Sequence, residues 1–303
     1  MLQQNEPING IIVINKPSGI TSFDVVAKVR KAFGQKKVGH AGTLDPDVSG
    51  VLVVALGKAT KLIDELQARP KKYEGEITLG FSTETEDASG AIVENKPIIE
   101  PFADAEIDQA IRDLNGNIKQ VPPMFSAVKV NGKRLYEYAR AGETVTRPVR
   151  DAIIYNYQRT SDITYSQQRQ IFNFEATVSK GTYIRTLAVD TGKKLQIPAT
   201  MTKLKRIMGS GMTLDKACDF DAIVTGNRDS LLNLVIPIPD ILTWPSKELS
   251  ADEWFAVKNG QKIASFDEES DLIQLTYKGE LKAVYAYHAE SNDWQSRYVF
   301  SNN

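Results

Sequence analysis

The sequence predicts an α+β domain followed by a small β-rich appendix, and three observations carry that prediction. Strand-like and helix-like stretches succeed one another without the regular alternation of a doubly wound parallel sheet. Val51-Leu52-Val53-Val54-Ala55-Leu56 is a continuous apolar run of strand length, which reads as a buried strand. After Pro237-Ile238-Pro239 and Trp244-Pro245, the remaining sixty or so residues hold short strand patterns joined by turns. A chain of 303 residues accommodates this as one large domain or two moderate ones.

The elements follow in order. Gly10-Ile11-Ile12-Val13-Ile14-Asn15-Lys16 reads as a short strand stopped by Pro17. Thr21 or Ser22 is the N-cap of an amphipathic helix through Val25, Val26, Val29 and Phe33, ending at Gly34. The loop Gly39–Gly50 leads into the apolar strand, and a helix is expected over 59–66. Residues 71–81 alternate, with Tyr73, Gly75, Ile77, Leu79 and Phe81 on one face and Glu74, Glu76 and Thr78 on the other, as in a half-buried strand. A polar loop over 83–90 and a helix over 103–114 come next. Residues 121–150 break the pattern: a proline-bound start, a basic turn at Asn131-Gly132-Lys133-Arg134 and a short helix read as an excursion from the main domain. Strands over 152–157 and 170–178, a helix starting after Gly181-Thr182 and a strand over 202–208 complete the domain. The appendix shows strands over 271–277 and 281–287, with turns at Lys278-Gly279 and Ser291-Asn292.

Composition removes several functional classes. No stretch approaches the roughly 18–20 apolar residues of a membrane span, and the N-terminus shows neither a basic cluster nor an apolar core of a secretory signal. Cys218 is the single cysteine, so an intrachain disulfide is impossible, and a reducing cytoplasm is the expected compartment. With two histidines, His40 and His288, a zinc site is not expected. Neither a phosphate-binding P-loop nor a dinucleotide fingerprint is present, and neither histidine lies near a nucleophile elbow. Net charge is −1, but it is unevenly spread. The residues before Asp45 and the excursion 121–150 each carry a net +4, whereas 243–303 carry −4. Two basic regions on a neutral chain suggest a confined polyanion site; ordinary solvated charge is the alternative.

The loop Gly39-His40-Ala41-Gly42-Thr43-Leu44-Asp45-Pro46 places one imidazole and one carboxylate beside a rigid strand. Asp45-Pro46 fits a turn; it also fits a carboxylate nucleophile, which in a partly dry site needs a cationic partner. Arg185 is a candidate partner. It falls in the first turn of its helix, where a cation opposes the macrodipole by roughly 0.3–1 kcal/mol, so something outside the helix must hold it if it is more than an exposed arginine. Tyr73 is either a core tyrosine or an aromatic platform for a base. His40, between two small neighbours, either caps the loop or approaches another molecule.

At this point the chain resembles the TruB family of tRNA pseudouridine synthases. The resemblance rests on Gly39–Pro46 with Ser49-Gly50 and Gly57-Lys58-Ala59-Thr60-Lys61, on Asn15-Lys16-Pro17-Ser18-Gly19, on Lys72-Tyr73-Glu74, on Pro122-Pro123-Met124-Phe125-Ser126-Ala127, on Gly181–Leu187 and on Leu204-Lys205-Arg206, all in order. It implies a mixed, largely antiparallel central sheet flanked by helices, with a catalytic domain over 1–242, a thumb insertion at about 121–150 and a PUA-like domain over 243–303. The acidic charge of that last domain argues against a broad phosphate-binding face.

The family resemblance also implies an activity: isomerisation of uridine to pseudouridine in the T-loop of tRNA, at tRNA position 55. Asp45 would be the nucleophile, Tyr73 would stack on the target base and be a candidate for taking the C5 proton, and Arg185 would pair with Asp45. His40 would fill space against the RNA, Lys16 and Leu204 would belong to pocket-lining segments, and Lys133 and Arg134 would grip the T-arm from the thumb. An isomerisation needs no redox change and no external group, so no cofactor and no metal are expected. The expected partner is tRNA alone, without guide RNA or membrane, and the expected state a monomer. The competing class is a tRNA-folding chaperone without chemistry, which would not need Asp45, Tyr73 and Arg185 together.

Overall fold

In the computed structural model, which describes residues 7–264, 266 and 269–301, the chain is organised around one long mixed sheet. The N-terminal residues 1–6, part of the leader reading, and Asp267 and Glu268 of the acidic count lie outside the described residues. The sheet runs, edge to edge, through Cys218–Asp219, Gly10–Lys16, Ser49–Leu56, Ala199–Gly209, Lys71–Leu79, Arg169–Val178, Arg150–Arg159 and Gly116–Gln120. Two of these contacts are parallel, Gly10–Lys16 with Cys218–Asp219 and Ala199–Gly209 with Ser49–Leu56; the others are antiparallel.

The apolar run is buried because both faces of its strand are covered. Leu52, Val54 and Leu56 pack with Ile12 and Ile14 beneath the helix Ser22–Phe33, against Val25, Val26, Val29 and Phe33. Val51, Val53 and Ala55 face the other way, with Ile11 and Val13, onto Leu62, Leu66, Ile238 and Ile241. Thr21 caps the helix: its hydroxyl accepts from the Asp24 amide at 3.0 Å, the Asp24 carboxylate returns to the Thr21 amide, and Gly34 ends it in the left-handed conformation. The second half of the sheet forms a separate core, in which Ile77, Leu79, Phe172, Phe174 and Ala176 pack against the helices Asp104–Arg112 and Ile184–Lys194. Tyr73 and Leu204 touch both cores and mark the seam between them.

Two elements differ from expectation. The helix expected over 59–66 is a 3-10 turn, Gly57–Leu62, that continues as the α-helix Ile63–Ala68. The alternating strand over 71–81 stops at Leu79, because Gly80 takes φ +108° and turns the chain. Phe81–Thr83 then pairs with Ile92–Asn95 as a separate hairpin.

The excursion is small but built. Lys129–Val130 and Lys133–Arg134 form a hairpin, Leu135–Ala141 is a helix, and Val128 and Leu135 are buried beneath them. The C-terminal residues form a five-stranded sheet, ordered Ser246–Glu248, Leu272–Tyr277, Glu280–His288, Asp293–Val299 and Ile263–Ala264, beside the helix Ala251–Lys258. This module is docked on the first. Val284 and Phe300 join the core around Leu66, and the Tyr298 hydroxyl donates to Glu65 at 2.8 Å.

Candidate active site

Asp45 lies in a loop anchored from two sides. The loop is a turn, with the Val48 amide donating to the Asp45 carbonyl at 3.1 Å. From one side the Gly19 amide and the Lys16 ammonium donate to the Pro46 carbonyl at 2.9 and 3.0 Å, and Ser22 exchanges hydrogen bonds with the Leu44 backbone. From the other, Arg206 donates through Nε to the Val51 carbonyl at 2.7 Å and through Nη2 to Gly42 at 3.0 Å. Gly50 permits this approach: it has φ +110°, and a Cβ there would stand 2.1 Å from the Arg206 carbonyl oxygen. The turn and the chemical reading of Asp45 are therefore compatible, since the turn is what presents the carboxylate.

That carboxylate is 45% exposed and meets Arg185, whose side chain is 8% exposed, with Nη2 at 2.9 Å from Oδ2. The helix Ile184–Lys194 begins at this point, so the cation does sit in the unfavourable first turn. Four contacts from outside the helix hold it there. Besides Asp45, Nη1 donates to the Thr85 carbonyl at 3.0 Å, Nη2 donates to the Phe125 carbonyl at 3.1 Å, and Asp87 Oδ2 stands 3.7 Å from Nε. A guanidinium with its donors aimed in several directions suits this place better than an ammonium.

Asp45 and Arg185 border a pocket of about 400 Å³, whose walls include Tyr73, Leu204, Tyr183 and Phe125. The volume lies in the range of small-ligand sites. Tyr73 and Leu204 come from neighbouring strands, Lys71–Leu79 and Ala199–Gly209, and Tyr73 is half-buried rather than a core residue. A second cavity of about 580 Å³ continues from Asp45 past Asp87 and Arg140.

Of the residues singled out in the sequence, Asp45, Tyr73, Arg185 and Leu204 meet at this pocket. Lys16 does not line it. Its ammonium is wholly buried behind the loop, donating to the carbonyls of Pro17, Ile20 and Pro46, and burial pushes it down to about 8 against the opposing pull of Asp47 and Asp45. Its role is to hold the Asp45 loop. His40 ends the short strand Val38–His40 outside the pocket lining, half-buried, with its pKa lowered first by burial and then by Arg206. Lys133 and Arg134 sit on the excursion hairpin. Lys133 pairs with Glu143 at 2.8 Å, and the Arg134 guanidinium lies 5.8 Å from the ring centre of Tyr136, a residue that does line the pocket.

Sequence reasoning missed three groups. The polar loop over 83–90 supplies Thr85 and Asp87 to Arg185, and nothing in its local pattern distinguishes it from a solvated turn. Arg206 was read only as part of a run, yet it is 2% exposed, and a buried arginine must be satisfied. Tyr183, two residues before Arg185, lines the pocket, and burial pushes its hydroxyl above the usual tyrosine range. Among the described residues, no cluster of three or more His, Cys, Asp or Glu has metal-binding geometry, and no helix is long and apolar enough to cross a membrane.

Comparison with known proteins places the chain in a family. Residues 30–184 match the model of the TruB family pseudouridylate synthase N-terminal domain. A tRNA pseudouridine synthase B of Lacticaseibacillus paracasei is 46% identical over 282 residues, covering 92% of this chain and 93% of its own. That of Streptococcus sanguinis is 46% identical over 297 residues, covering 97% and 100%. Among solved structures, an H/ACA RNP bound to a substrate RNA containing 2′-deoxyuridine has a chain of the same fold, with a TM-score of 0.69 at 22% identity over 96% of this chain and 85% of that one. The mixed sheet, the flanking helices and the curled C-terminal sheet are those expected of the pseudouridine synthase fold with a PUA-like module. The chain belongs to the TruB family of pseudouridylate synthases.

Proposed function

We propose that this protein isomerises uridine to pseudouridine in tRNA, at position 55 of the T-loop, with Asp45 as the nucleophile. The observation that carries the reading is the Asp45–Arg185 pair at 2.9 Å on the wall of a pocket shared with Tyr73 and Leu204. The reaction breaks the N1–C1′ bond, turns the detached base and forms C5–C1′. N1 gains a proton and C5 loses one, so atoms and charge balance without a second substrate. Asp45 forms the covalent adduct that keeps base and ribose together, at uracil C6 or at ribose C1′; both place the carboxylate against the bound nucleoside. Arg185 fixes the direction of that carboxylate. Tyr73 stacks on the base and takes the C5 proton once the glycosidic bond has reformed.

A base folded into the T-loop reaches this pocket only when everted, which costs on the order of a few kcal/mol. Stacking on Tyr73 and contacts to phosphates offset that cost. The basic excursion supports a thumb that grips the T-arm directly, with Lys133 and Arg134 on its hairpin, so that no guide RNA is required. A non-catalytic tRNA chaperone would have no use for a carboxylate braced by an arginine with four partners. The test is mass mapping of an unmodified tRNA transcript after incubation with the protein alone. Pseudouridine confined to the T-loop position supports the reading; an unchanged transcript, with tRNA bound, returns the chaperone reading.

A further inference from the structure

Glu86 stands between the two residues of the 83–90 loop that hold Arg185, yet it does not touch Arg185 itself. Thr85 offers its carbonyl to Nη1 and Asp87 its carboxylate to Nε. The Glu86 side chain is 19% exposed and takes other partners. Its Oε2 accepts from the Thr186 hydroxyl at 3.1 Å, one residue beyond Arg185. Its Oε1 lies 3.7 Å from Arg147 Nη1, and the same nitrogen donates to the Pro122 carbonyl at 3.0 Å. Pro122 enters the excursion and Arg147 leaves it, so Arg147 ties the two ends together and Glu86 ties that knot to the core. The backbone is held in a costly shape to do this. Glu86 has φ +65°, a region that residues with a Cβ enter rarely, and its carbonyl accepts from the Met201 amide at 3.3 Å. The conformation lets three successive residues serve two sides: 85 and 87 the catalytic arginine, 86 the base of the excursion.

We propose that Glu86 is a positioning residue that latches the base of the 121–150 excursion, through Arg147, to the segment that orients Arg185, so that seating of the excursion on RNA sets the Asp45–Arg185 geometry. The inference rests on the RNA-modifying function proposed above. Burial raises the Glu86 carboxyl pKa, while Thr186 and then Arg147 favour the charged form, which fits a carboxylate retained for its partners.

The test uses Glu86→Gln, which keeps an acceptor for Thr186 and removes the charge facing Arg147. Two readouts are taken on the full chain. In the free protein, tryptic cleavage at Lys129, Lys133, Arg134 and Arg140 should accelerate about five-fold, the ratio a partly exposed ion pair supplies, with cleavage elsewhere unchanged. In single-turnover assays on a tRNA transcript, the isomerisation rate should fall by a similar factor with tRNA affinity unchanged. Arg147→Gln should reproduce the rate loss and the double variant should add nothing to it; if Glu86→Gln does not fold, Arg147→Gln carries both readouts. Unchanged cleavage, a loss confined to affinity or losses that multiply would overturn the latch. A wild-type protein that forms no pseudouridine would sink the functional reading, whereas the cleavage readout would still decide the latch.

Discussion

Arg185 holds Asp45 Oδ2 at 2.9 Å while its other donors are committed to the Thr85 and Phe125 carbonyls and its Nε faces Asp87. The carboxylate is thus oriented by a side chain that is itself immobilised. Lysine at 185 would bring the charge but a single nitrogen, unable to reach these partners together. Arg185→Lys should lower the single-turnover rate by about a hundred-fold or more and leave tRNA affinity within about two-fold, since the Arg185 side chain is almost wholly buried. A rate within a few-fold of wild type would mean that Arg185 supplies charge and no orientation.

Gly50 is where the loop and its brace meet most closely. A Cβ there would stand 2.1 Å from the Arg206 carbonyl oxygen and 2.8 Å from its amide nitrogen, at φ +110°. Gly50→Ala should cost about 3 kcal/mol of unfolding free energy, from strain and overpacking together. Denaturant titration measures this. Gly132→Ala is the comparison: it also lies at positive φ, but no atom comes within 4 Å of the added methyl, so it should cost less.

His40 predicts an acid sensitivity. Burial, then Arg206, keeps its pKa below the ordinary value, so the unfolded chain binds the proton first as pH falls. Its contribution to stability is fully present above about pH 6.5 and is lost as pH drops below that value. The stability difference between wild type and His40→Gln should therefore shrink between pH 7.5 and 5, by less than about 1 kcal/mol for a half-buried ring. A difference independent of pH would contradict the burial argument.

Lys133 and Arg134 lie on the excursion hairpin, and under the proposed function they meet phosphates of the T-arm. Each change to glutamine should weaken tRNA binding and reduce the slope of log affinity against log salt by about 1, without altering the rate from saturating enzyme. Binding isotherms at several salt concentrations decide this. An unchanged slope would remove both residues from the RNA contact.

The long run Val51–Leu56 was legible because both its faces are buried, so every residue is apolar. The helix Ser22–Phe33 was legible through its cap and its terminal glycine. The site was less so. Asp45, Tyr73, Arg185 and Leu204 lie far apart in the chain, and no local period links them; the resemblance of ordered motifs supplied what spacing lacked. Thr85, Asp87 and Arg206 stayed hidden for a physical reason: their work is to satisfy another residue's donors or carbonyls across the sheet, which leaves no local pattern. Lys16, which the resemblance put in a pocket-lining segment, lies behind the Asp45 loop instead. Its full burial, with three carbonyls around the ammonium, is a tertiary fact.

The most direct test of the account is mass mapping of pseudouridine in an unmodified tRNA transcript incubated with Asp45→Asn beside the wild type, with fold and tRNA binding measured on both. The wild type should convert the T-loop uridine, and the variant, folded and binding tRNA with similar affinity, should convert none. Conversion by Asp45→Asn at the wild-type rate would contradict the nucleophile assignment.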